Sequence, residues 1–426
     1  MGSNDGWQKR RIGECAELIR NHFDPIGNDI QPYIGLEHIQ EQTLRLLGVG
    51  RSTDVVSGKY IFKSGDILFG KLRPYFRKVV RPKFDGVCST DIWVIRAKDG
   101  TDQGFLYYVM ASKEIVALAT QGSEGTKMPR AKWDFVENKE IYHPPLPEQQ
   151  KIASILGALD DKIELNHEMN RTLEQMAQAI FKSWFIDFEP FQDGEFEYSE
   201  ELGKEIPKGW GVKKLSDIAE VNQGKTPKAM DYADKGHKII KHGDITNDGW
   251  IDWYRKERGF VKHEIEKSKL RDILPGDILI SNSSHAGAEH LVAVKRTVVH
   301  FIPDDYDIVY FTGELTSIRP TSYVSTPYIH QFFVSDEGEK QIRYHQRGMH
   351  LTVGETRKIS ILVPPENIMI EFDNMVGPLY QQIGNNIQEI IKLADLRDTL
   401  LPKLLSGEIR VNNINLNRDA IREVTL

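Results

Sequence analysis

HPPLPEQQKIASILGALDDKIELNHEMNRTLEQMAQAIFKSWF, residues 143–185, has the pattern of one long amphipathic helix. Its prolines fit the lead-in and first turn of a helix, so they mark where the helix begins. Apolar residues then recur every three or four positions, as in Ile152, Ile155, Leu159 and Ile163. That spacing places them on one face, which predicts a helix packed along most of its length.

The same pattern returns 220 residues later, after a second pair of prolines at 364–365. An ungapped comparison of the two copies pairs Leu159 with Leu379 and Asn166 with Asn386. Self-similarity at a fixed distance is typical of repeated structural units. The sequence therefore predicts two equivalent long helices.

In each copy the helix can be divided into seven-residue heptads that start at Ile152 or Phe372. The first position of each heptad is apolar except in one, where it is Asn166 or Asn386. A polar residue in a helix–helix seam costs stability but fixes the register of the pair. We therefore predict that the two helices pack antiparallel and that Asn166 and Asn386 set their register. The alternative is that each apolar stripe packs only on its neighbouring globular domain, and that the match is chance.

A weaker repeat links the two larger blocks of the chain. Trp7 matches Trp210, and the sequence Gly-Asp-Ile-Leu occurs at 65–68 and again at 276–279. Each copy of this sequence predicts a turn that leads into a buried strand. Helical spacing follows at 104–121 and at 326–345, which indicates mixed α and β structure in both blocks.

The order globular, helix, globular, helix predicts an α+β fold. It consists of two α/β domains separated by an antiparallel, coiled-coil-like pair of long helices, with pseudo-twofold symmetry. A helix of about 35 residues spans roughly 50 Å, comparable to about 15 base pairs. The predicted segments are a first domain at 1–147, a central helical spacer at 148–205, a second domain at 206–365, a distal helical spacer at 366–412 and a C-terminal tail at 413–426.

The composition excludes several classes of protein. Of the 426 residues, 40% are hydrophobic and 27% are charged, which is typical of a soluble globular protein. No apolar run is long enough to span a membrane and no secretory signal opens the sequence, so a cytoplasmic location is expected. Cys15 and Cys88 are too few for a zinc ribbon or a disulfide framework, and we predict that both are buried thiols.

The net charge of −7 argues at first against a nucleic-acid partner. The charge is unevenly distributed, however. Residues 1–147 carry 21 Lys and Arg against 18 Asp and Glu, and residues 206–365 carry 23 against 21. The segment 148–205 carries only 5 against 14. Both larger blocks are thus mildly basic, and local charge matters more than the total for attracting a polyanion.

Three segments resemble the specificity subunits of type I restriction-modification systems. Residues 143–185 resemble the central helical region of that family. LRDTLLPKLLSGEIRV, residues 396–411, resembles the end of the distal region, and SGDILFGKLRPYFRKV, residues 64–79, resembles a common class of target-recognition domain. The resemblance covers essentially the whole chain in order.

This resemblance implies that each α/β domain is a target-recognition domain that reads one half of a bipartite double-stranded DNA target. It also implies that the helices set the gap and dock two modification (methyltransferase) subunits, and that a restriction subunit joins for cleavage. The chain itself would have no catalytic residue, metal or cofactor; S-adenosylmethionine, ATP and Mg²⁺ would belong to the partners. The second copy has PPENIMIEFDN, residues 364–374, in place of PPLPEQQKIAS, so unequal docking of the two partners is expected.

No enzyme signature is complete in the sequence. His143-Pro144-Pro145-Leu146 lacks the polar residue and the aromatic ring with which adenine methyltransferases hold a flipped base, so we interpret it as a helix lead-in. Residues 122–127, GSEGTK, lack the spacing of a phosphate-binding loop. His345 and His350 are five residues apart, which suits neither a helix face nor alternate strand positions, so a metal site is not predicted.

The strongest DNA-binding signal is the basic run at 59–83. This density of Lys and Arg suits a track of phosphates, and we select Arg73 as the contact to a guanine edge. The alternative is a solvated strand pair whose edge lysines prevent aggregation. The predicted contacts are Lys63, Lys71, Arg73, Tyr75, Arg77 and Lys78; Lys59, Arg81 and Lys83 complete the positive charge.

A polar, glycine-containing loop follows the predicted helices of each block. Amide and hydroxyl side chains hydrogen-bond base edges, so these loops are predicted to read bases. The predicted contacts are Gln121, Ser123, Thr126, Lys127 and Arg130 in the first block, and Arg343, His345, Arg347 and His350 in the second. Further contacts in the second block are Lys225, Lys228, Ser283 and His285. Because the side chains differ, we expect the two domains to read different sequences.

Three functions remain open on the sequence. A DNA specificity subunit is expected to bind duplex DNA in a salt-sensitive way and to become selective only with its modification partner. A self-contained DNA adenine methyltransferase would bind S-adenosylmethionine as an isolated chain. A protein scaffold without DNA would give no DNA crosslinks from residues 59–83, even in the assembled complex.

Overall fold

The chain divides into two units in its computed structural model, which describes residues 6–26, 29–125, 127–246, 249–253, 259–266, 270–282 and 295–411. Unit 1 comprises residues 1–165 with 389–426, and unit 2 comprises residues 166–388. Each unit thus contains one globular block and one half of each long helix. The blocks follow the predicted order along the chain.

Unit 1 combines short strands with four short helices. Its strands are β1 (Gln8–Arg11), β2 (Ala16–Ile19), β3 (His22–Phe23), β4 (Pro32–Ile34), β5 (Gly50–Arg51), β6 (Lys59–Phe62), β7 (Ile67–Gly70), β8 (Val79–Val80), β9 (Gly86–Cys88), β10 (Ile92–Ala97), β11 (Ser123–Glu124), β12 (Arg130–Ala131) and β13 (Glu140–His143). Its helices are α1 (Ile12–Cys15), α2 (Gln103–Ala111), α3 (Lys113–Gln121) and α4 (Trp133–Glu137). The long helix α5 (Leu146–Phe185) begins in this unit.

Two sheets form the centre of unit 1. The first has the strand order β2-β10-β7-β8 and is antiparallel, with Val94 opposite both Ile19 and Leu68. The second has the order β3-β6-β9-β4-β5. Leu68 belongs to a buried cluster that includes Phe62 of the second sheet, whereas Phe69 belongs to the cluster of the helices. Strand alternation therefore packs the first sheet on both faces, as the predicted buried strand requires.

Unit 2 repeats this arrangement. Its strands are β14 (Phe196–Ser199), β15 (Lys204–Pro207), β16 (Gly211–Lys214), β17 (Ala219–Gln223), β18 (Tyr232–Ala233), β19 (His237–Ile240), β20 (Phe260–Val261), β21 (Ile278–Ser281), β22 (Arg296–Val298), β23 (Val309–Phe311), β24 (Leu315–Pro320) and β25 (Ser360–Val363). Its helices are α6 (Leu215–Ile218), α7 (Thr326–Val334), α8 (Asp336–His345), α9 (Val353–Thr356) and the beginning of α10 (Glu366–Ser406).

The sheet β17-β24-β21-β22 of unit 2 corresponds to β2-β10-β7-β8 of unit 1. Both contain the same bidentate ion pair at the Gly-Asp turn, in which the carboxylate is buried. Asp66 accepts two hydrogen bonds from Arg96, at 2.8 Å each, and Asp277 accepts two from Arg319, at 2.7 Å each. The repeat inferred from the sequence is therefore a repeat of structure, and the mixed α and β fold is confirmed.

Helix α5 is shorter than the predicted central spacer. It ends at Phe185, and β14 and β15 form a hairpin over residues 196–207. Phe188 has a left-handed backbone with φ of 56°, and a proline follows at 190, so the helix cannot continue. The helix therefore matches the amphipathic segment 143–185, and the rest of the predicted spacer 148–205 is not part of it.

The two long helices are antiparallel where they meet in unit 1. Asp160 of α5 accepts a hydrogen bond from Arg397 of α10 at 2.8 Å, and Lys162 pairs with Glu389 at 3.2 Å. A later position on α5 thus meets an earlier position on α10. This contact excludes the alternative in which each helix packs only on its own domain.

The helices are also antiparallel within unit 2. Phe185 packs on Phe372 with ring centroids 5.0 Å apart, and Asn386 donates a hydrogen bond to Asn170 at 2.8 Å. Asn166, one helical turn before Asn170, is fully buried. The amide pair that joins the helices is therefore Asn170 with Asn386. The assignment of Asn166 to the register stays a prediction.

The fourth positions of the predicted heptads, among them Met169 and Met176, are one residue out of phase with the buried face, whereas the first positions Ile152 and Asn166 are fully buried. Met169 and Met176, which the frame places in the seam, are 37% and 47% exposed, whereas Asn170 and Ala177 are buried. Several buried seam residues, such as Asn170 and Arg397, are polar. Because a search for apolar periodicity does not detect polar residues, the frame shifted towards the apolar positions beside them.

The first turns of the two long helices differ in sequence, and the residues that differ make contacts within their own units. In α5, Glu148 accepts a hydrogen bond from Trp7 at 2.8 Å and a bidentate pair from Arg410. The equivalent position in α10, Ile368, packs against the apolar core of unit 2. This difference changes how each helix is anchored to its own unit, so it does not by itself support unequal docking of partners.

Two buried histidines make the stability of unit 2 depend on pH. His330 Nδ1 lies 2.5 Å from Tyr380 Oη of α10. Burial, assisted by His300 and Arg296, lowers the pKa of His330 to about 3, and burial lowers the pKa of His300 to about 4. Both rings stay neutral in the folded unit, whereas the unfolded chain binds protons below its ordinary pKa of 6.5. Stability is therefore lost as the pH falls.

We expect the free energy of unfolding of unit 2 to decrease between about pH 6.5 and 4, by at most about 1.4 kcal/mol per pH unit for each histidine. Hydrogen exchange followed separately in the two units measures this free energy of unfolding at each pH. The variant His330→Gln removes one titrating group and should flatten the decrease. An unchanged pH dependence in this variant would contradict the assignment.

Among the described residues, no helix is long and apolar enough to cross a membrane. Cys15 and Cys88 are both buried, as predicted. Within the same residues, no cluster of His, Cys, Asp and Glu has a geometry that would hold a metal ion.

Candidate nucleic-acid interface

The residues after β7 form a tight, basic loop, residues 71–78, which we call the basic loop. Arg73 and Arg77 both have a left-handed backbone with φ of 51°, and they bracket a 3-10 turn over Pro74–Phe76. This conformation is unfavourable for residues other than glycine, and it persists only where the surrounding contacts hold it. The side chains of Arg73 and Tyr75 are exposed at the surface of this turn.

A second loop, residues 121–131, lies beside the basic loop, and we call it the polar loop of unit 1. The backbone N–H of Arg73 donates to the carbonyl of Pro129 at 2.8 Å, and that of Ala131 donates to the carbonyl of Lys71 at 2.9 Å. The Arg73 guanidinium donates to the carbonyl of Lys127 at 3.3 Å. The structure therefore brings together two segments that the sequence analysis selected separately.

The exposed charge at these two loops is only partly free to meet a polyanion. Arg130 forms a bidentate pair with Asp91, at 2.8 and 3.1 Å, and this hydrogen bonding raises the pKa of Arg130. Burial lowers the pKa of Lys71, although the carboxylate of Asp91 opposes this effect. Arg73 and Lys127 are exposed and lie in contact. They supply most of the outward positive charge of this surface.

Arg77, which the sequence analysis predicted to contact DNA, is buried. Its side chain is 2% exposed, and its guanidinium donates to the carbonyl of Ala111 at 2.7 Å and to Asp398 at 3.1 Å. Lys78 also points inwards, donating to the carbonyl of Leu36 at 2.7 Å, and burial lowers its pKa. A count of charges along the chain does not distinguish side chains on the two faces of a turn, so these two inward-facing cations were counted together with the exposed ones.

Lys63 lies apart from the two loops. It precedes β7, whereas the basic loop follows β7, and a four-residue strand separates its ends by roughly 13 Å. Lys63 pairs with Asp85 at 2.8 Å. Its predicted contact with DNA therefore belongs to a different part of the surface and stays a prediction.

The remaining predicted residues of the polar loop are distributed along it. Gln121 is the exposed last residue of α3, and Ser123 donates a hydrogen bond to the carbonyl of Thr120 at 2.6 Å. Thr126 lies outside the described residues. The base contacts predicted for these three side chains stay predictions.

Unit 2 joins its equivalent segments in the same way. The N–H of Leu351 donates to the carbonyl of Asn282 at 2.9 Å, as Ala131 does to Lys71 in unit 1. Asn282 directly follows β21, which is the counterpart of β7. Ser283 and His285, predicted to contact DNA, lie outside the described residues.

The polar loop of unit 2, residues 345–351, presents a different set of side chains. Arg347 and His350 pair across a tight turn and are both exposed. His345 is turned towards Glu355 at 3.2 Å, and the hydrogen bonds from Lys358 and His345 lower the pKa of Glu355 to about 2. A histidine held by a carboxylate is less available for a base, so Arg347 and His350 are the stronger candidates here.

The other predicted residues of unit 2 are exposed. Arg343 lies in the last turn of α8, just before the polar loop of unit 2. Lys225 and Lys228 follow β17, and the N–H of Lys225 donates to the carbonyl of Phe311 at 3.2 Å. Their predicted DNA contacts stay predictions.

Sequence reasoning missed three residues that shape these surfaces. Asp91 holds Arg130, and Asn282 donates to the carbonyl of Gly313 at 2.8 Å. Gln42 supports the basic loop from below, because its side chain donates to the carbonyl of Tyr75 at 2.8 Å. No local pattern marks any of them. The only available signal is for Asn282, which occupies the place of Lys71 in the repeat.

Comparison with known proteins shows which family the chain resembles. A sequence profile described as the type I restriction modification DNA specificity domain matches residues 4–175 and 207–392. The type I restriction enzyme MjaIX specificity subunit of Methanocaldococcus jannaschii is 32% identical over 333 residues, covering 74% of this chain and 71% of that protein. The HindI specificity subunit of Haemophilus influenzae is 25% identical, covering 95% and 99%.

One solved structure shows the same fold. The S subunit of a type I restriction-modification system from M. genitalium is 18% identical and superimposes with a TM-score of 0.50. The match covers 95% of this chain and 97% of that one.

Proposed function

Because the chain belongs to the type I restriction modification DNA specificity family, we propose that it recognises a bipartite duplex DNA target and that each unit reads one half. One observation carries this proposal. Both units join the segment after an equivalent strand to a polar loop by the same backbone hydrogen bond, Ala131 to Lys71 and Leu351 to Asn282, at 2.9 Å each. The two frameworks match but present different side chains, as two readers of different sequences require.

The chemistry of the loops favours base readout over strong non-specific binding. Arginine side chains form bidentate hydrogen bonds with guanine in the major groove. Arg73 is exposed in the basic loop of unit 1, and Arg347 is exposed in the polar loop of unit 2. Arg130 is balanced by Asp91, which limits the general attraction to phosphates. The isolated chain is therefore expected to bind DNA weakly, and tight binding is expected to need the phosphate contacts of its partners.

The paired helices are proposed to set the gap between the half-sites and to dock two methyltransferase subunits, with restriction subunits joining for cleavage. In this proposal the chain is the non-catalytic subunit and acts in the cytoplasm. S-adenosylmethionine, ATP and Mg²⁺ would serve the partners. Equilibrium dialysis with S-adenosylmethionine tests this division, because binding by the isolated chain would favour a self-contained methyltransferase instead.

The direct test is methylome sequencing of a host that expresses the chain with its modification partner. The expected result is one methylated motif made of two short sequences with a fixed gap. Replacing residues 121–131 should change one half of the motif, and replacing residues 345–351 should change the other. A continuous motif, or changes in both halves from one replacement, would contradict the proposal.

Arg73→Ala should weaken binding to the methylated motif by about 10- to 100-fold, and the loss should concern one base pair of one half-site. The reason is that Arg73 is the exposed guanidinium at the tip of the basic loop. Fluorescence anisotropy of the assembled complex on duplexes with single base changes measures both the affinity and the position.

Lys83→Ala is the matched control. Lys83 is also an exposed cation, but it lies at the other end of β7, where the N–H of Gly65 donates to the carbonyl of Pro82. Its loss should leave the sequence preference unchanged. Equal effects of the two variants would mean that Arg73 contributes only general positive charge.

A further inference from the structure

The buried Arg77 connects the basic loop to the long helix α10. Besides Ala111, its guanidinium contacts both carboxylate oxygens of Asp398, at 3.1 and 3.4 Å, and the carbonyl of Gln42 at 3.4 Å. Arg77 is also the left-handed residue that closes the 3-10 turn. One side chain thus holds the strained end of the loop against a helix that is 321 residues away in the sequence.

The contact continues across both long helices. Arg397, beside Asp398 and 3% exposed, donates to Asp160 of α5 at 2.8 Å and to the carbonyl of Thr43 at 3.3 Å. Asp160 in turn accepts a hydrogen bond from Tyr108 at 2.6 Å. Burial raises the pKa of Asp398, but the charges of Arg77 and Arg397 outweigh it, so the pKa lies below its ordinary value. The carboxylate is therefore ionised and accepts hydrogen bonds from both guanidiniums.

Unit 2 has different residues at the equivalent positions. The shift of 220 residues that relates the helices places Tyr380 where α5 has Asp160, and it relates Arg397 to Ala177 and Asp398 to Gln178. Tyr380 bonds to His330 and to Gln331 of α7 instead. Among the described residues, the ionic connection between loop and long helix is thus found in unit 1.

We propose that Arg77 is a positioning residue for DNA recognition, which holds the basic loop in its reading conformation through Asp398 so that the helix pair sets the geometry of the loop. The inference rests on the proposed function, since it assumes that the basic loop meets DNA. It assigns Arg77 a role without contact to DNA. It also makes the helix pair a determinant of how well the half-site of unit 1 is read.

The test weakens the connection from the helix side. Asp398→Asn keeps the shape of the side chain but removes its charge, and Asp395→Asn makes the same change at an exposed position of the same helix. Arg77→Lys is the second variant, because lysine keeps the charge but cannot form the bidentate contact. Each variant is assembled with the modification subunit, and binding to the methylated motif is measured by fluorescence anisotropy between about 50 and 200 mM salt.

Asp398→Asn and Arg77→Lys are each expected to weaken specific binding by about fivefold, while Asp395→Asn has no effect. The slope of affinity against salt should stay that of the wild type, since no phosphate contact is lost. In both variants, base changes in the half-site affected by Arg73→Ala should reduce the affinity less than they do in the wild type. Base changes in the other half-site should reduce it as much as in the wild type. Hydrogen exchange in unit 1 of each variant verifies that the measurements are made on folded protein.

Two results overturn the inference. A reduced salt slope in Arg77→Lys would show that Arg77 itself contacts phosphate. Wild-type affinity in both Asp398→Asn and Arg77→Lys, together with a loss in Arg73→Ala, would show that the loop needs no support from the helix. If Arg73→Ala also binds like the wild type, the proposed function of the loop fails, which is a separate result.

Discussion

Inserting one heptad into each long helix is expected to lengthen the gap of the DNA target by about three base pairs without changing the letters of either half. The insertions are placed between Leu165 and Asn166 and between Gln388 and Glu389, at the boundaries of the two units. Contacts within each unit, such as the Asp160–Arg397 pair, are then preserved. Seven residues add about 10.5 Å of helix and leave the helix faces rotated by only about 20°.

Methylation is the measurement for this prediction. The motif with the natural gap should be modified roughly a thousandfold less, because only one unit can engage its half-site at a time. Methylome sequencing should instead find the same two halves with a longer gap. An insertion in α5 alone is the control, since the unchanged α10 then prevents both units from keeping their helix contacts. An unaltered motif in the double insertion would show that the helices do not set the gap.

The sequence was most informative where structure depends on repetition. The proline pairs and the apolar stripes predicted both long helices, and the two Gly-Asp turns predicted equivalent buried strands. These features depend on local backbone preference and on periodic burial, which one sequence contains. The antiparallel contact followed from the repeat itself, because two equivalent helices with a polar position in common favour packing on each other.

The sequence was less informative about the site. Arg73 and Arg77 are four residues apart and chemically identical, yet one is exposed and the other is 2% exposed. The difference arises from a left-handed turn and from Asp398, which no local pattern connects to the loop. The fourth heptad positions of the seam were misplaced by one residue for a related reason, because buried polar residues such as Asn170 are recognised only once their partners are known.

Arg397→Met is expected to produce the largest loss of stability in unit 1. Arg397 is 3% exposed and its guanidinium bonds to Asp160 and to Asp398. Methionine fills much of the same volume but leaves two partly buried carboxylates without this cation. Removal of one partner from a buried ion pair typically costs about 3–5 kcal/mol. Arg77 and Lys113 remain within ion-pair distance of Asp398, at 3.1 and 3.6 Å, and because Arg77 closes the basic loop, part of the loss should fall on that loop.

Hydrogen exchange followed separately in each unit measures this effect, because a single melting temperature does not report on two units independently. Exchange should accelerate in the strands and helices of unit 1 and stay unchanged in the sheet β17-β24-β21-β22 of unit 2. Lys392→Met, at an exposed position of the same helix, is the control and should change neither unit. A stability equal to that of Lys392→Met would mean that the charges of this network contribute nothing to the free energy of folding, and that packing alone joins the helices there.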